Sequence, residues 1–160
     1  MLAQLAFFFY YYSESDVSSC TITSYYTVNL YLKRLTPEDL LNLQVEEFNK
    51  GNVSFLMTLY ENDACFASEP GQVVKDLESI RQNLERFIGM RAKLKARVKR
   101  VLQASDLALL ITEWSINGTE PDGKPINLSG RGTVVVHQQK QRDSDGVAWR
   151  IVIENPWGTD

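Results

Sequence analysis

Two side chains in this sequence could move protons. Glu69 stands directly before Pro70-Gly71 in the stretch FASEPG, at the predicted end of a short strand. It can act as a general base if burial or a nearby like charge raises its pKa, and it is otherwise a solvated turn residue. His137, the only histidine, lies in the strand-like stretch TVVVHQQ. It can act as an acid or base if it faces a cavity, or lie at an interface if it faces outward. We take both as catalytic candidates.

Large aromatic side chains could form the apolar wall of a small-molecule pocket, with a carboxylate or an amide to orient the ligand. Adjacent strand residues face opposite ways, so only one of Glu113 and Trp114, and one of Glu154 and Asn155, can line the same cavity. The alternative is that the large aromatics simply fill the core. The candidate ligand-binding residues are Tyr60, Glu113, Trp114, Asn155 and Trp157.

Metal and cofactor chemistry have little support in the sequence. With one histidine and two cysteines, Cys20 and Cys65, there is no cysteine pair at zinc-ligand spacing. Cys65 and His137 could form a thiolate pair, but the sequence offers no third group to orient them. The stretch GRG at 130–132 lacks the further glycines and the strand-to-helix junction of a phosphate-binding loop. We therefore expect no metal and no cofactor.

Composition and charge limit the partners and the compartment. The chain has 160 residues, of which 44% are hydrophobic and 23% charged, and this suits one globular domain with its own core. A net charge of −3 gives no general attraction for phosphate backbones, so we expect no nucleic-acid partner. Two cysteines are too few for a disulfide framework, and a reducing cytoplasm is the simpler interpretation.

The first 35 residues differ from the rest of the chain. They begin with the apolar and aromatic run MLAQLAFFFYYY, which no Lys or Arg precedes and no clear cleavage site follows, so it fits a secretion signal poorly. It is also shorter than the roughly 20 apolar residues that span a bilayer, and we expect no membrane partner. We interpret 1–35 as an N-terminal extension of uncertain order, which is a tail, an extra packed element or a poor secretion signal, and 36–160 as the domain.

Three helices are predicted from caps and hydrophobic spacing. The stretch TPEDLLNLQVEEFNKGN begins with Thr36 as N-cap and ends with Gly51, which can adopt the left-handed conformation of a helix end. A shorter helix is predicted over 52–60. A third is predicted over about 76–88, where apolar residues recur with helical period and Gly89 supplies the stop.

The second half of the chain has the patterns of strands. Strict alternation of apolar and basic residues over 92–101 predicts one buried and one wet face. Three more long strands are predicted at 106–117, 126–140 and 147–155, with Asn117-Gly118 and Asp122-Gly123 bracketing the first connection and DSDG at 143–146 forming the second. The predicted fold class is α+β, with three N-terminal helices packed on a curved antiparallel sheet of about four long strands.

One predicted strand suggests an association. In 107–116 both alternating sets are largely apolar: Leu107, Leu109 and Ile111 face one way, and Ala108 and Leu110 the other. The helices cover only one face of the sheet, so its second face needs a cover as well. We expect a homodimer packed sheet to sheet, although the N-terminal segment could supply the same cover.

The order of these elements and several phrases resemble the nuclear-transport-factor-2-like superfamily, which includes ketosteroid isomerase, scytalone dehydratase and the SnoaL-like polyketide cyclases. The phrases are FNKGNVSFLMTLYENDACFASEPG, DLESIRQNLERF, SDLALLITEWSINGTEPDGKPINLSGRGTVVVHQQ and WRIVIENPWG, which lie within about 36–158. The chain is most similar to the small SnoaL-like or ketosteroid-isomerase-like proteins of bacteria. The resemblance implies a cystatin-like cone in which helices and a curved sheet enclose a pocket.

The resemblance implies only part of an active site. In ketosteroid isomerase a carboxylate before a proline moves the proton, and Glu69 lies near that place with about a one-residue offset. Its oxyanion hole uses a tyrosine on the first helix and a protonated aspartate on a late strand. Here Gln44 stands at the first position, and no acid lies around 131–133. Our hypothesis is therefore a domain that binds a small apolar organic molecule without a complete isomerase site. The alternative is a cofactor-independent isomerase, cyclase or dehydratase that uses Glu69 or His137.

Overall fold

A computed structural model describes residues 36–120, 122–139 and 148–158. The predictions for the N-terminal extension and for the DSDG turn at 143–146 fall outside these residues. The described helices are α1 Pro37–Lys50, α2 Val53–Thr58 and α3 Leu77–Gly89, and the described strands are β1 Tyr60–Glu69, β2 Gln72–Val74, β3 Lys93–Ala104, β4 Leu107–Thr119, β5 Pro125–Gln138 and β6 Trp149–Asn155. None of these helices combines the length and the apolar character that a membrane crossing requires.

Helix α1 begins and ends as its sequence predicts. The Asp39 N–H donates to Thr36 Oγ1 and the Thr36 N–H donates to Asp39 Oδ2, each at 3.2 Å, so the two residues form a capping box. Gly51 ends the helix in the left-handed conformation, at φ 75°. The buried face of the helix is apolar except for Gln44 and Glu47. A buried glutamine on an apolar face requires polar partners in the interior.

The two shorter helices differ from prediction at their ends. Helix α2 stops at Thr58, because the chain enters β1 at Tyr60. Helix α3 is capped by Asp76, whose Oδ1 accepts from the Ser79 N–H at 2.7 Å. Its stop is not Gly89, which is still helical; the left-handed residue that follows the helix is Arg91, at φ 52°.

The sheet has six strands in the order β2-β1-β6-β5-β4-β3, so the prediction of about four strands was wrong. Strand β1 is longer than its apolar stretch ACFAS, and it pairs in parallel with β6 and antiparallel with the short edge strand β2. The other pairs are antiparallel. A parallel pair between the first and last strands is distant in sequence, so no local pattern signals it.

The two faces of the sheet follow the predicted alternation. Ala108 and Leu110 of β4 are buried on the face that the helices cover, called the inner face here. Leu107 lies on the opposite outer face and is exposed, and Leu109 and Ile111 beside it are half-buried. The β4–β5 turn comes later than predicted, because Asn117 and Gly118 still belong to β4 and pair with β5.

A β-bulge in β6 changes which of its residues face inward. Val136 pairs with Ile151, but Val135 pairs with Ile153, so Val152 is an extra residue in the strand. Because of this extra residue, the side chain of Glu154 faces inward, like that of Val134, with which Glu154 pairs. Ile151 and Glu154, three positions apart, therefore share the inner face.

Candidate functional site

A cavity lies between the inner face of the sheet and helices α1 and α3. It leaves about 100 Å³ for the centres of water-sized molecules. Most residues around it are apolar, and one of them, Leu128, is 37% exposed. The aromatic residues that line it are Phe48, Phe66, Phe87, Trp114 and Trp157. The ionisable side chain among its lining residues is Glu154.

Glu154 is held by two neutral partners. Gln44 Nε2 donates to both carboxylate oxygens, at 3.1 Å to Oε1 and 3.0 Å to Oε2. The hydroxyl of Tyr60 donates to Oε2 in a short hydrogen bond and accepts from Gln44 Nε2 at 3.1 Å. We call Gln44, Tyr60 and Glu154 the carboxylate cluster. It joins α1, β1 and β6 at one end of the cavity.

The carboxylate cluster places an ionisable group in a poorly solvated environment. Burial raises the pKa of Glu154, and the hydrogen bonds from Tyr60 and Gln44 oppose that shift without cancelling it. Burial, followed by the charge of Glu154, raises the pKa of Tyr60 well above its usual value. Within the described part of the chain, no Lys, Arg or His forms an ion pair with Glu154. Glu154 is partly exposed and belongs to the lining of the cavity.

Two tryptophans form part of the cavity wall. The rings of Trp114 and Trp157 meet edge to face, with centroids 5.8 Å apart. Trp114 Nε1 donates to the Pro156 carbonyl at 2.6 Å, and Trp157 Nε1 donates to the Ala67 carbonyl at 3.1 Å. Both indoles are fixed by backbone acceptors. Their orientation is therefore preorganised, as a binding wall requires.

The glycines of GRG make room for this wall. A Cβ on Gly130 would lie 3.1 Å from Cζ2 of the Trp114 ring, and a Cβ on Gly132 would lie 2.8 Å from the Asn155 carbonyl oxygen. The stretch thus lets the turn after β6 pack against β5. The sequence excluded a phosphate loop here but gave no sign of this tertiary role.

Three of the five predicted ligand-binding residues, Trp114, Asn155 and Trp157, line the cavity. Tyr60 lies behind Glu154 and contacts it. Glu154 and Asn155 both border the cavity, contrary to the expectation that only one of them could, because β6 ends at Asn155 and strand alternation ends with it. The Asn155 side chain is engaged in the turn, where Nδ2 donates to the Gly158 carbonyl at 2.7 Å.

Glu113 lies on the outer face, away from the cavity. Its carboxylate contacts Arg97 Nη2 at 2.6 Å, Lys99 Nζ at 3.2 Å and Arg131 Nε at 3.8 Å. The hydrogen bonds from Arg97 and then from Lys99 lower its pKa. Trp114, the next residue, faces the cavity, as the alternation predicted.

The two catalytic candidates lie apart from the cavity and from each other. Glu69 is exposed at the end of β1, with its Oε1 3.8 Å from Arg86 Nη1, and it does not line the cavity. A catalytic role for Glu69 stays a prediction that has no support from its position.

His137 belongs to an acidic cluster on the outer face. Its Nδ1 lies 2.7 Å from Glu61 Oε1, and its Nε2 lies 3.4 Å from Asp106 Oδ2. The hydrogen bond to Glu61 is the main cause that raises the pKa of His137. Since both ring nitrogens face carboxylates, neither is available to activate Cys65.

The sequence named Gln44 only as a substitute in a family position, and it left Glu154 as an alternative to Asn155. Gln44 could have been singled out as an amide on the apolar face of α1. The direction of Glu154 depends on the bulge at Val152, which pairing with β5 produces and which β6 alone does not signal.

Comparisons with known proteins agree with this architecture. The model of the SnoaL-like domain family matches residues 43–143. None of the curated proteins is similar enough to match.

Three similar solved structures show the same fold. One is a nuclear transport factor 2-like superfamily protein from Salmonella enterica, with 17% identity and a TM-score of 0.61 over 77% of this chain and 90% of that one. Another is an uncharacterized protein with a cystatin-like fold from Caulobacter vibrioides, with 14% identity and a TM-score of 0.59 over 72% and 81%. A Thiobacillus denitrificans protein, provisionally described as a calcium/calmodulin-dependent protein kinase type II association domain, has 12% identity and a TM-score of 0.61 over 79% and 97%. At these identities the likeness concerns the fold alone.

Proposed function

The chain belongs to the SnoaL-like domain family, and from this we propose that its cavity binds a small, mostly apolar organic molecule with one polar end. The observation that carries the proposal is a preformed apolar cavity with a single carboxylate at one end, held by Gln44 and Tyr60. Apolar walls with a few placed polar groups are typical of small-molecule sites.

The size of the cavity limits the ligand. An apolar cavity of about 150 Å³ in another protein holds one benzene molecule. At about 100 Å³ for the centres of water-sized molecules, this cavity suits a body of about one ring. Because Leu128 lines the cavity and is itself exposed, a longer ligand could extend past it toward solvent.

The experiment is a titration with toluene followed by the indole N–H signals in ¹H–¹⁵N NMR spectra. The chain has three tryptophans, of which Trp114 and Trp157 line the cavity, and Trp149 is buried elsewhere in the core. We expect saturable shifts of the first two signals and little change in the third.

A matched pair of variants locates the binding. Ala96 lines the cavity, and Ala104 is exposed at the end of the same strand, β3. Ala96→Leu should fill the cavity and abolish the shifts, and Ala104→Leu should leave them unchanged. Equal binding to both variants, or no binding to the wild-type protein, would overturn the proposal.

The alternative is a cofactor-independent isomerase, cyclase or dehydratase. The observation in its favour is the raised pKa of a carboxylate that lines the cavity, since a general base works best with a pKa near the operating pH. The test is exchange of the α-protons of phenylacetone in D₂O. Catalysed exchange that is lost in Glu154→Gln would support proton transfer in the cavity. Loss in Glu69→Gln or His137→Gln instead would assign it to the residues that the sequence singled out, and absence of exchange would exclude this reaction.

We also propose that a second copy of the chain covers the outer face. Its apolar patch includes Leu107 and Ile153, which are 45% and 42% exposed, and the half-buried Val135 lies opposite Ile153. A structural neighbour described as an association domain supports this arrangement by its fold. Ile153→Lys should convert a dimer to a monomer in sedimentation experiments, and Val73→Lys on edge strand β2 should not. A wild-type monomer at high concentration would overturn the proposal.

A further inference from the structure

Glu154 has no basic partner among the described residues, whereas three other carboxylates of low exposure have one. Glu47 pairs with Lys50 at 2.8 Å, Glu61 with His137 at 2.7 Å, and Glu113 with Arg97 at 2.6 Å. The described residues offer Glu154 only a neutral phenol and a neutral amide. A buried charge is costly unless it is paired. A ligand can therefore supply the cation that Glu154 lacks.

The hydrogen bonds leave one position of the carboxylate open. An ionised carboxylate offers about four acceptor sites, two on each oxygen. Oε2 accepts from both Tyr60 and Gln44, whereas Oε1 accepts from Gln44 alone. Among the described contacts, a second donor to Oε1 is absent. A donor that arrives through the cavity would complete the coordination of this oxygen.

The walls of the cavity favour a cation with an apolar body. Phe48, Phe66 and Trp114 line it with aromatic surface. An aromatic face attracts a cation by about 0.5 to 2 kcal/mol, depending on desolvation. A hydroxyl group on the ligand would satisfy the open position of Oε1 but would leave the charge of Glu154 unbalanced. A carboxylate on the ligand would be repelled.

We propose that the ligand is a primary organic ammonium, a protonated amine on an apolar body of about one ring, whose N–H group donates to Glu154. The inference rests on the proposed function and names the ligand class for the same cavity. Charge-assisted hydrogen bonds of this type are about twice as strong as neutral ones.

The experiment compares probes that share one ring and differ in the polar end. Benzylamine, benzyl alcohol, benzoate and toluene are titrated at about pH 8, where an alkyl amine is still largely protonated. Binding is followed by the indole signals of Trp114 and Trp157. We expect benzylamine to bind at least about tenfold more tightly than benzyl alcohol, and benzoate to bind most weakly.

Two variants test whether the preference comes from Glu154. In Glu154→Gln we expect benzylamine to lose its advantage over benzyl alcohol. Glu85→Gln, on the exposed side of α3, removes the same charge without touching the cavity and should keep the preference. The ranking of the probes on the wild-type protein remains a complete test even if Glu154→Gln does not fold.

The outcomes separate this inference from the proposed function. If toluene or benzyl alcohol binds as tightly as benzylamine, or if the preference survives in Glu154→Gln, the ammonium ligand is wrong and the apolar ligand stands. If none of the four probes binds the wild-type protein, both proposals fail.

Discussion

Glu113 and Glu154 lie on opposite faces of one sheet and differ in almost every respect except residue type. Glu113 on the outer face meets Arg97, Lys99 and Arg131, and its pKa is lowered. Glu154 on the inner face meets a phenol and an amide, and burial raises its pKa. The outer carboxylate is already neutralised by the protein. The inner one is poised for a proton or a ligand.

The two faces place their carboxylates in different electrostatic environments. Charges on the outer face are partnered within the protein and exposed to screening, so they contribute little beyond solubility and association. A charge on the inner face is held away from water beside a cavity, where its interactions are stronger. Substitutions on the two faces should therefore differ in their effects on stability.

The largest effect is expected from disturbing the turn that borders the inner face. In Gly132→Ala the new Cβ would lie 2.8 Å from the Asn155 carbonyl oxygen and 2.9 Å from Pro156 Cα. Because these atoms belong to the backbone, the turn that carries Trp157 must move. We expect a loss of about 3 kcal/mol in the free energy of unfolding, measured by urea denaturation.

The control for this substitution is Gly89→Ala at the end of α3. A Cβ there would meet no heavy atom within 4 Å, and Gly89 lies in the helix. We expect a gain of up to about 1 kcal/mol, because alanine favours the helical state. If the two variants were equally stable, the close packing of the turn on β5 would not be required.

The second largest effect is expected from removing the Tyr60 hydroxyl, which is a donor in the carboxylate cluster. Tyr60→Phe removes the hydroxyl that donates to Glu154 and leaves the carboxylate with Gln44 alone. We expect a loss of about 2 kcal/mol in the free energy of unfolding at neutral pH, since a buried acceptor loses its donor. The measurement is chemical denaturation followed by Trp fluorescence.

A double variant separates this hydrogen bond from general packing. If Tyr60 acts through Glu154, the loss caused by Tyr60→Phe is different in the wild-type and in the Glu154→Gln background, and the cycle with both single variants gives a coupling energy of about 0.5 to 3 kcal/mol. Additive effects would mean that the hydroxyl contributes independently of the carboxylate.

The third effect is expected from neutralising Glu154, and it can be compared directly with the effect of neutralising Glu113. A raised folded-state pKa means that folded Glu154 binds more protons than the unfolded chain, so stability falls as pH rises from the unfolded value of about 4.3 through the folded one. In Glu154→Gln the side chain does not titrate, so this loss of stability with rising pH is absent. We expect the variant to exceed the wild-type stability by on the order of 1 kcal/mol at about pH 8, with the gain disappearing near pH 4.

Glu113→Gln should show the opposite trend. A lowered folded-state pKa contributes stability above the unfolded pKa, and this contribution disappears as pH falls through the folded pKa. The variant should therefore be slightly less stable than the wild type at about pH 8 and equal to it in acid. Parallel pH trends in the two variants would remove the contrast between the faces.

Local patterns predicted the parts of the fold that local interactions determine. The N-cap Thr36, the left-handed Gly51 and the alternation in β3 each depend on residues a few positions apart. The parallel pairing of β1 with β6 joins the two ends of the domain and could not be predicted in this way. Family resemblance supplied the general architecture, but not the number of strands.

The same distinction between local and long-range interactions explains which residues of the site could be predicted from the sequence. Trp114 and Trp157 were named as candidates because large aromatic side chains are visible in the sequence. The direction of Glu154 depends on the bulge at Val152, and its environment depends on Gln44 and Tyr60, which lie 110 and 94 positions away in the chain. Burial, the property that distinguishes Glu154 from Glu69, is a tertiary quantity.

The smallest effect is expected at His137, on the outer face. Glu61 is the first cause of its raised pKa and Asp106 a lesser one, in line with their distances of 2.7 and 3.4 Å. Since the folded-state pKa is raised, the stability contribution is complete below about 6.5 and is lost as pH rises through the folded value. Solvent screening should hold it below about 1 kcal/mol. We expect the His137 pKa from ¹H NMR titration to fall more in Glu61→Gln than in Asp106→Asn. A larger fall in Asp106→Asn would reverse that order and show that Nε2 makes the stronger contact.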